Sequence, residues 1–135
     1  QSIAIPIFQN STMTRDVEFM LTDAIIKEIQ VRSPYRVVDK HVAETLLTGT
    51  ITSMNLRTLS RSRTTGLDNE VLFNVVIDFE WYDQVNGNRI VGRKNFASSA
   101  VFIPSRPSSE PLEIGQFAVV QQLASDIVDQ MQASW

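Results

Sequence analysis

Ser2-Ile3-Ala4-Ile5-Pro6-Ile7-Phe8 runs through a polar turn, Gln9-Asn10-Ser11-Thr12, into an amphipathic segment and on to Leu47-Thr48-Gly49-Thr50-Ile51. That order reads as strand, helix, strand around one core. The helical register is set by Val17, Met20, Leu21, Ala24, Ile25 and Ile29, which recur at intervals suited to one buried stripe, while Asp23, Lys27 and Glu28 fall off it. Thr12, Thr14 and Asp16 offer side-chain oxygens to orphan backbone N–H groups, so a capped start is expected near Asp16. Ser33-Pro34 ends the helix, because proline disfavours helical geometry in the residue before it. No phosphate-binding glycine loop follows the first strand, and no acid, thiol or histidine cluster sits at its end.

Further along, a short strand is expected from Tyr35 to Val38, then a turn from Asp39 through Glu44 in which Asp39 is the cap. A threonine-rich strand follows from Leu46 to about Arg61, with Gly49 suggesting a bulge or close packing against a helix. From Val71 the odd positions Val71, Phe73, Val75, Ile77, Phe79 and Trp81 are all apolar, whereas the even ones include Asn74, Asp78 and Glu80. Asn86-Gly87 tolerates the positive φ of a tight hairpin, so Arg89 to Ile103 should return as the partner strand. A two-residue loop would set Glu80 opposite Arg93 on the outer surface and Val75 opposite Ser98 on the inner one. Three prolines between Pro104 and Pro111 forbid helix and ladder alike, making that stretch a loop. A final helix then carries Phe117, Val120, Leu123, Ala124, Ile127, Val128 and Met131 on one stripe.

Two such helices and a sheet with one apolar face satisfy each other as an α+β two-layer sandwich, two helices on one face of a mostly antiparallel four- to five-stranded sheet. The length of 135 residues suits a single domain, 1–135, and 43% hydrophobic with 20% charged residues suits a packed core. Leu72, Val76, Tyr82 and Val91 make the other sheet face more apolar than solvent requires, which suggests a contact surface.

Composition also excludes. A net charge of −3 and a pI near 5.1 argue against a general nucleic-acid binder, because neutralising phosphates needs a basic field. No apolar run reaches the roughly 18 residues that span a bilayer, so this polypeptide is expected to be soluble. Zero cysteines exclude disulfides, thiolate catalysis and zinc–thiolate sites. The chain starts almost directly in a strand with no signal peptide, so its natural amino terminus is expected to have been cut away.

Candidate chemistry is sparse. His41 with Asp39 and Glu44 could form a weak metal or acid–base cluster, but a cap is the simpler reading. Asp78 and Glu80 share a strand face, and Arg93 opposite makes a surface pair the default. No serine lies in a Gly-x-Ser-x-Gly elbow. No catalytic residue, cofactor or metal is therefore expected. The best candidate site is the basic run Arg57, Arg61 and Arg63, whose guanidinium forks suit phosphate or carboxylate groups such as an anionic headgroup; the alternative is arginine placed at a strand end for solubility and edge protection. Arg93 and Lys94 either join this patch or lie a sheet-width away.

The residues 3 to 12, Ile-Ala-Ile-Pro-Ile-Phe-Gln-Asn-Ser-Thr, together with the helix from Glu18 to Ile29, Tyr35-Arg36-Val37-Val38 and the stretch from Ala43 to Ile51, resemble the LptE family of lipopolysaccharide-assembly lipoproteins. The strand ending Trp81-Tyr82-Asp83, the Asn86-Gly87 turn and the helix around Leu123 to Val128 keep the family's order, so the resemblance covers nearly the whole chain. It implies a non-enzymatic protein of cell-envelope biogenesis on the periplasmic side of the outer membrane. There it would plug the LptD β-barrel and help deliver lipopolysaccharide. The resemblance also implies membrane attachment through an N-terminal lipid anchor on a cysteine that this chain lacks. A runner-up is another periplasmic lipoprotein module, resembling peptidoglycan-synthase activators or curli-secretion subunits, and an enzyme comes third.

Overall fold

The computed structural model describes residues 1–61, 69–102 and 111–134. In chain order the elements are β1 (Ser2–Ala4), β2 (Gln9–Asn10), α1 (Val17–Arg32), β3 (Arg36–Val37), β4 (Thr45–Arg61), β5 (Asn69–Asp83), β6 (Arg89–Phe102) and α2 (Pro111–Gln132). The architecture is α+β, with both helices against one sheet. That sheet has six strands in the order β3-β1-β4-β5-β6, with β2 also on β4. It is mixed rather than mostly antiparallel: β1 and β2 run parallel to β4, and β3 parallel to β1, while β4, β5 and β6 form an antiparallel meander.

The opening strand does not run unbroken to Phe8. Pro6 has no N–H to give a ladder, and the edge divides into β1 and β2 with Ile5–Phe8 between them. The break is held from the helix side. Thr22 of α1 accepts the Phe8 N–H at 3.0 Å through its hydroxyl and donates to the Glu18 carbonyl at 2.8 Å. Phe8 folds inward over Gly49, where a side chain would collide with its ring. Gly49 thus serves close packing, though against Phe8 and not against a helix; the two irregularities of β4 fall later, between Ile51 and Ser53 and between Thr58 and Ser60.

Val17, Leu21, Ala24, Ile25 and Ile29 of α1 are buried as the stripe requires, and Met20 is half-buried against them. They join Phe73, Val75, Ile77, Phe79 and Trp81 of β5 and Val120, Leu123, Ala124, Ile127, Val128 and Met131 of α2 in one core. Phe117 is 53% exposed and Val119 is buried in its place. Asp16 takes a left-handed conformation and makes no side-chain cap bond, so the expected cap at the start of α1 is not formed. Asn10 organises that loop instead, its amide donating to the Thr14 carbonyl at 2.7 Å and to Glu18 at 3.0 Å, and its oxygen accepting the Thr12 N–H at 2.8 Å.

The helices run in the same direction. Thr14 and Gln116 line one cleft near their starts, and near their ends Arg32 of α1 bonds Asp129 of α2, the Gln132 side chain at 2.8 Å and the Ser125 carbonyl at 3.2 Å. The hydrogen bond to Asp129, ahead of Glu28, holds the Arg32 guanidinium above its ordinary pKa, against a partial desolvation that lowers it.

In the β5–β6 hairpin, Asp83 donates to the Asn88 carbonyl at 2.8 Å, which leaves a four-residue tip rather than a two-residue one. Two irregularities in β6, at Ile90 and at Lys94–Asn95, then restore the expected register. Val75 does face Ser98, but Glu80 faces Gly92, and Arg93 stands opposite Phe79. The same shift puts Val91 across from Trp81, 5% exposed and in the core, not on the outer face.

Candidate functional site

Arg57 is exposed and opposite Leu72, on the sheet face away from the helices, near the end of β4. A shallow depression there is lined by Asn55, Arg57, Leu72, Asn74 and Ser99. Arg61 closes β4 with its side chain outside the described residues, and Arg63 lies outside them altogether. The loop expected from Pro104 also falls outside, apart from Pro111, which opens α2. Nearby, on the helix side, a cleft of about 100 Å³ opens between Thr14, Gln116, Met54, Leu56 and Phe73. Gly115 lets the Phe73 ring reach α2, since a Cβ there would collide with it.

Arg93 and Lys94 do not join Arg57. They sit near Thr48 and Thr50, and β4 carries Arg57 about 25 Å further along at the usual strand rise. Here a separate cleft of about 550 Å³ opens on the outer face, beneath the break in the edge strand. Thr48 and Thr50 of β4 and Asp78 and Glu80 of β5 form its floor, Pro6, Ile7 and Gln9 one wall, and Arg89, Gly92, Arg93 and Lys94 the other. Arg89 approaches Glu80 at 3.9 Å, with both side chains more than half exposed. Asp78 accepts the N–H of Asn95 at 2.9 Å, and Asn95 has the positive φ that turns the strand there. Arg93 donates to Gln130 of α2 at 3.1 Å and to the Gly92 carbonyl at 2.8 Å. No sequence signal marked this cleft, because its cations arrive through the irregularities of β6 and its wall through the Pro6 break.

Asp39 accepts the His41 N–H at 3.0 Å in a tight turn, as a cap. Among the described residues no group of three histidine or acidic side chains is placed to hold a metal, and no helix is long and apolar enough to cross a membrane. With Ala4, Val38, Ala43 and Leu46, Tyr82 forms a small second cluster on the outer face. Leu72 and Val76 remain half-buried on it.

The chain is thus an α+β two-layer sandwich of two parallel helices on a mixed sheet, with a charged cleft on its outer face. The sequence model of the LptE family, described as lipopolysaccharide-assembly, matches residues 1–134, and the chain belongs to that family. No curated protein matches it. Among solved structures it is similar to the hypothetical protein CT253 from Chlamydia trachomatis, at 8% identity and a TM-score of 0.62 over 98% of each chain. The lipoprotein GNA1162 from Neisseria meningitidis aligns at 14% identity and a TM-score of 0.55, covering 98% of this chain and 99% of that one. A putative lipoprotein from Caulobacter crescentus aligns at 12% identity and a TM-score of 0.56, covering 94% and 87%. At such identities these likenesses concern the fold.

Proposed function

We propose that this chain is a single non-enzymatic domain, 1–135, of an envelope lipoprotein on the periplasmic side of the outer membrane. It binds an LptD-type β-barrel as a plug and assists lipopolysaccharide assembly. The observation that carries this reading is the family match across residues 1–134, and lipoproteins of the same fold support it. Attachment is through an N-terminal lipid anchor. The test is co-purification of the full-length lipoprotein from envelope membranes: recovery with a large outer-membrane barrel supports the reading, whereas recovery with a penicillin-binding protein instead overturns it in favour of a peptidoglycan-synthase activator.

Arg57, Arg61 and Arg63 are proposed to hold the phosphorylated headgroup. The exposure of Arg57 on the open face supports this. Replacing all three with glutamine should weaken lipopolysaccharide binding while moving stability by only about 0.5 kcal/mol, as exposed substitutions do. Binding should also fall with salt, since screening limits exposed charges to about 8 Å at physiological ionic strength. Unchanged binding at low salt would return the arginines to a solubilising role.

A further inference from the structure

We infer that the cleft beneath the Pro6 break is a binding site for an anionic sugar, a polyol carrying one phosphate or carboxylate. The site is separate from the Arg57 end and does not rest on the barrel reading. An apolar ligand would strip water from Asp78, Glu80, Arg89 and Lys94 without replacing its hydrogen bonds, which is costly for charged groups. A cation would meet Arg89 and Lys94, and a bare anion would meet the carboxylates of Asp78 and Glu80.

The ligand that satisfies all of them brings hydroxyl donors for the carboxylates and one anionic group for the cations. Vicinal hydroxyls on a ring do both, and they also suit Thr48, Thr50 and Gln9, whose side chains donate and accept. Pro6 and the half-exposed Ile7 provide an apolar wall for the C–H face of the ring. The charges differ in availability. Arg89 is drawn toward Glu80, and Arg93 already gives Nε to Gln130, but Lys94 projects from the irregular stretch of β6 with no salt bridge among the described residues. Lys94 is therefore the main anion contact, since Arg93 stands opposite Phe79 and turns its guanidinium toward Gln130 on the helix side. Gly92 lets the Arg89 side chain lie flat along this wall, because a Cβ there would press on it.

Amide chemical-shift titration of the ¹⁵N-labelled chain tests this with four probes: glucose 6-phosphate, glucuronate, glucose and inorganic phosphate. The two anionic sugars should shift the amides of Thr50, Gly92 and Lys94 and bind at least about tenfold more tightly than glucose or phosphate alone. Lys94→Gln should weaken anionic-sugar binding by about tenfold with an unchanged melting temperature, and Arg57→Gln should have no effect. Equal binding of phosphate and glucose 6-phosphate would make the cleft an anion patch and overturn the proposal. So would equal binding of glucose and glucose 6-phosphate, or shifts at Arg57 in place of Lys94. Barrel co-purification by the Lys94→Gln chain reports on the assembly role independently, so the two readings fail separately.

Discussion

On one side of β4 the sheet is parallel and built from strands of two and three residues, whereas on the other it is antiparallel with strands of 14 to 17 residues. The antiparallel side is fixed by its ladder and by paired apolar residues that alternate without interruption along β5. The parallel side has too few ladder bonds for that, and individual side chains take over: Thr22 holds the Phe8 N–H, Asn10 the turn after β2, and Thr45 donates to the Ser2 carbonyl at 2.9 Å. The difference teaches that a short edge can be specified by a few polar contacts and one glycine, while a long meander relies on its pattern.

The largest loss of stability is expected in the meander. Phe73 is 2% exposed beneath Gly115, and Phe73→Ala should cost about 3–5 kcal/mol in urea melts, as for a buried ring. A loss under about 1 kcal/mol would place the core on the wrong face. The parallel side should respond to its glycine. A Cβ at Gly49 would collide with Phe8 and lie 2.7 Å from the Asp78 carbonyl oxygen, which cannot swing aside, so Gly49→Ala should cost about 1–3 kcal/mol. Combining it with Phe8→Leu should cost less than the sum of the two single changes, because both act on one contact.

The smallest effect concerns Tyr35, edge-on to Trp81 with ring centres 5.7 Å apart. Burial first, and the Glu44 charge second, raise its pKa. The folded state therefore keeps the phenol proton longer than the unfolded chain does. The associated stability is present below the ordinary tyrosine value of about 10 and is lost as pH rises through the folded pKa. Melts between neutral pH and strongly alkaline pH should show this loss in the parent, and Tyr35→Phe should remove that part of it.

Periodicity made the long elements legible. The odd-numbered run Val71 to Trp81, the α1 stripe and the return strand from Arg89 all lie where spacing put them, because burial on one face leaves a repeat in the sequence. Features without a repeat were hidden. The Pro6 break was written in a residue that forms no ladder, yet the apolar neighbours Ile5, Ile7 and Phe8 disguised it as strand. Nothing local announced that Ile90 and Lys94–Asn95 would each displace the register, so Arg93 was assigned to Glu80 and Val91 to the outer face. Parallel pairing escaped for a related reason: β1 and β2 are too short to carry a signature of direction. Of the candidate site, Arg57 stands exposed as its charge suggested, while the cleft at Lys94 depends on tertiary approach that no single segment encodes.

Both helices begin beside the Leu56 end of the sheet and finish where Arg32 meets Asp129. An α-helix acts as though it carries about half a positive charge at its start and half a negative one at its finish. In an antiparallel pair these ends would neutralise each other; aligned as they are, they add. The two helix starts therefore add a positive contribution on the Arg57 side, which Glu18 in the first turn of α1 and Arg32 in its last turn offset in part.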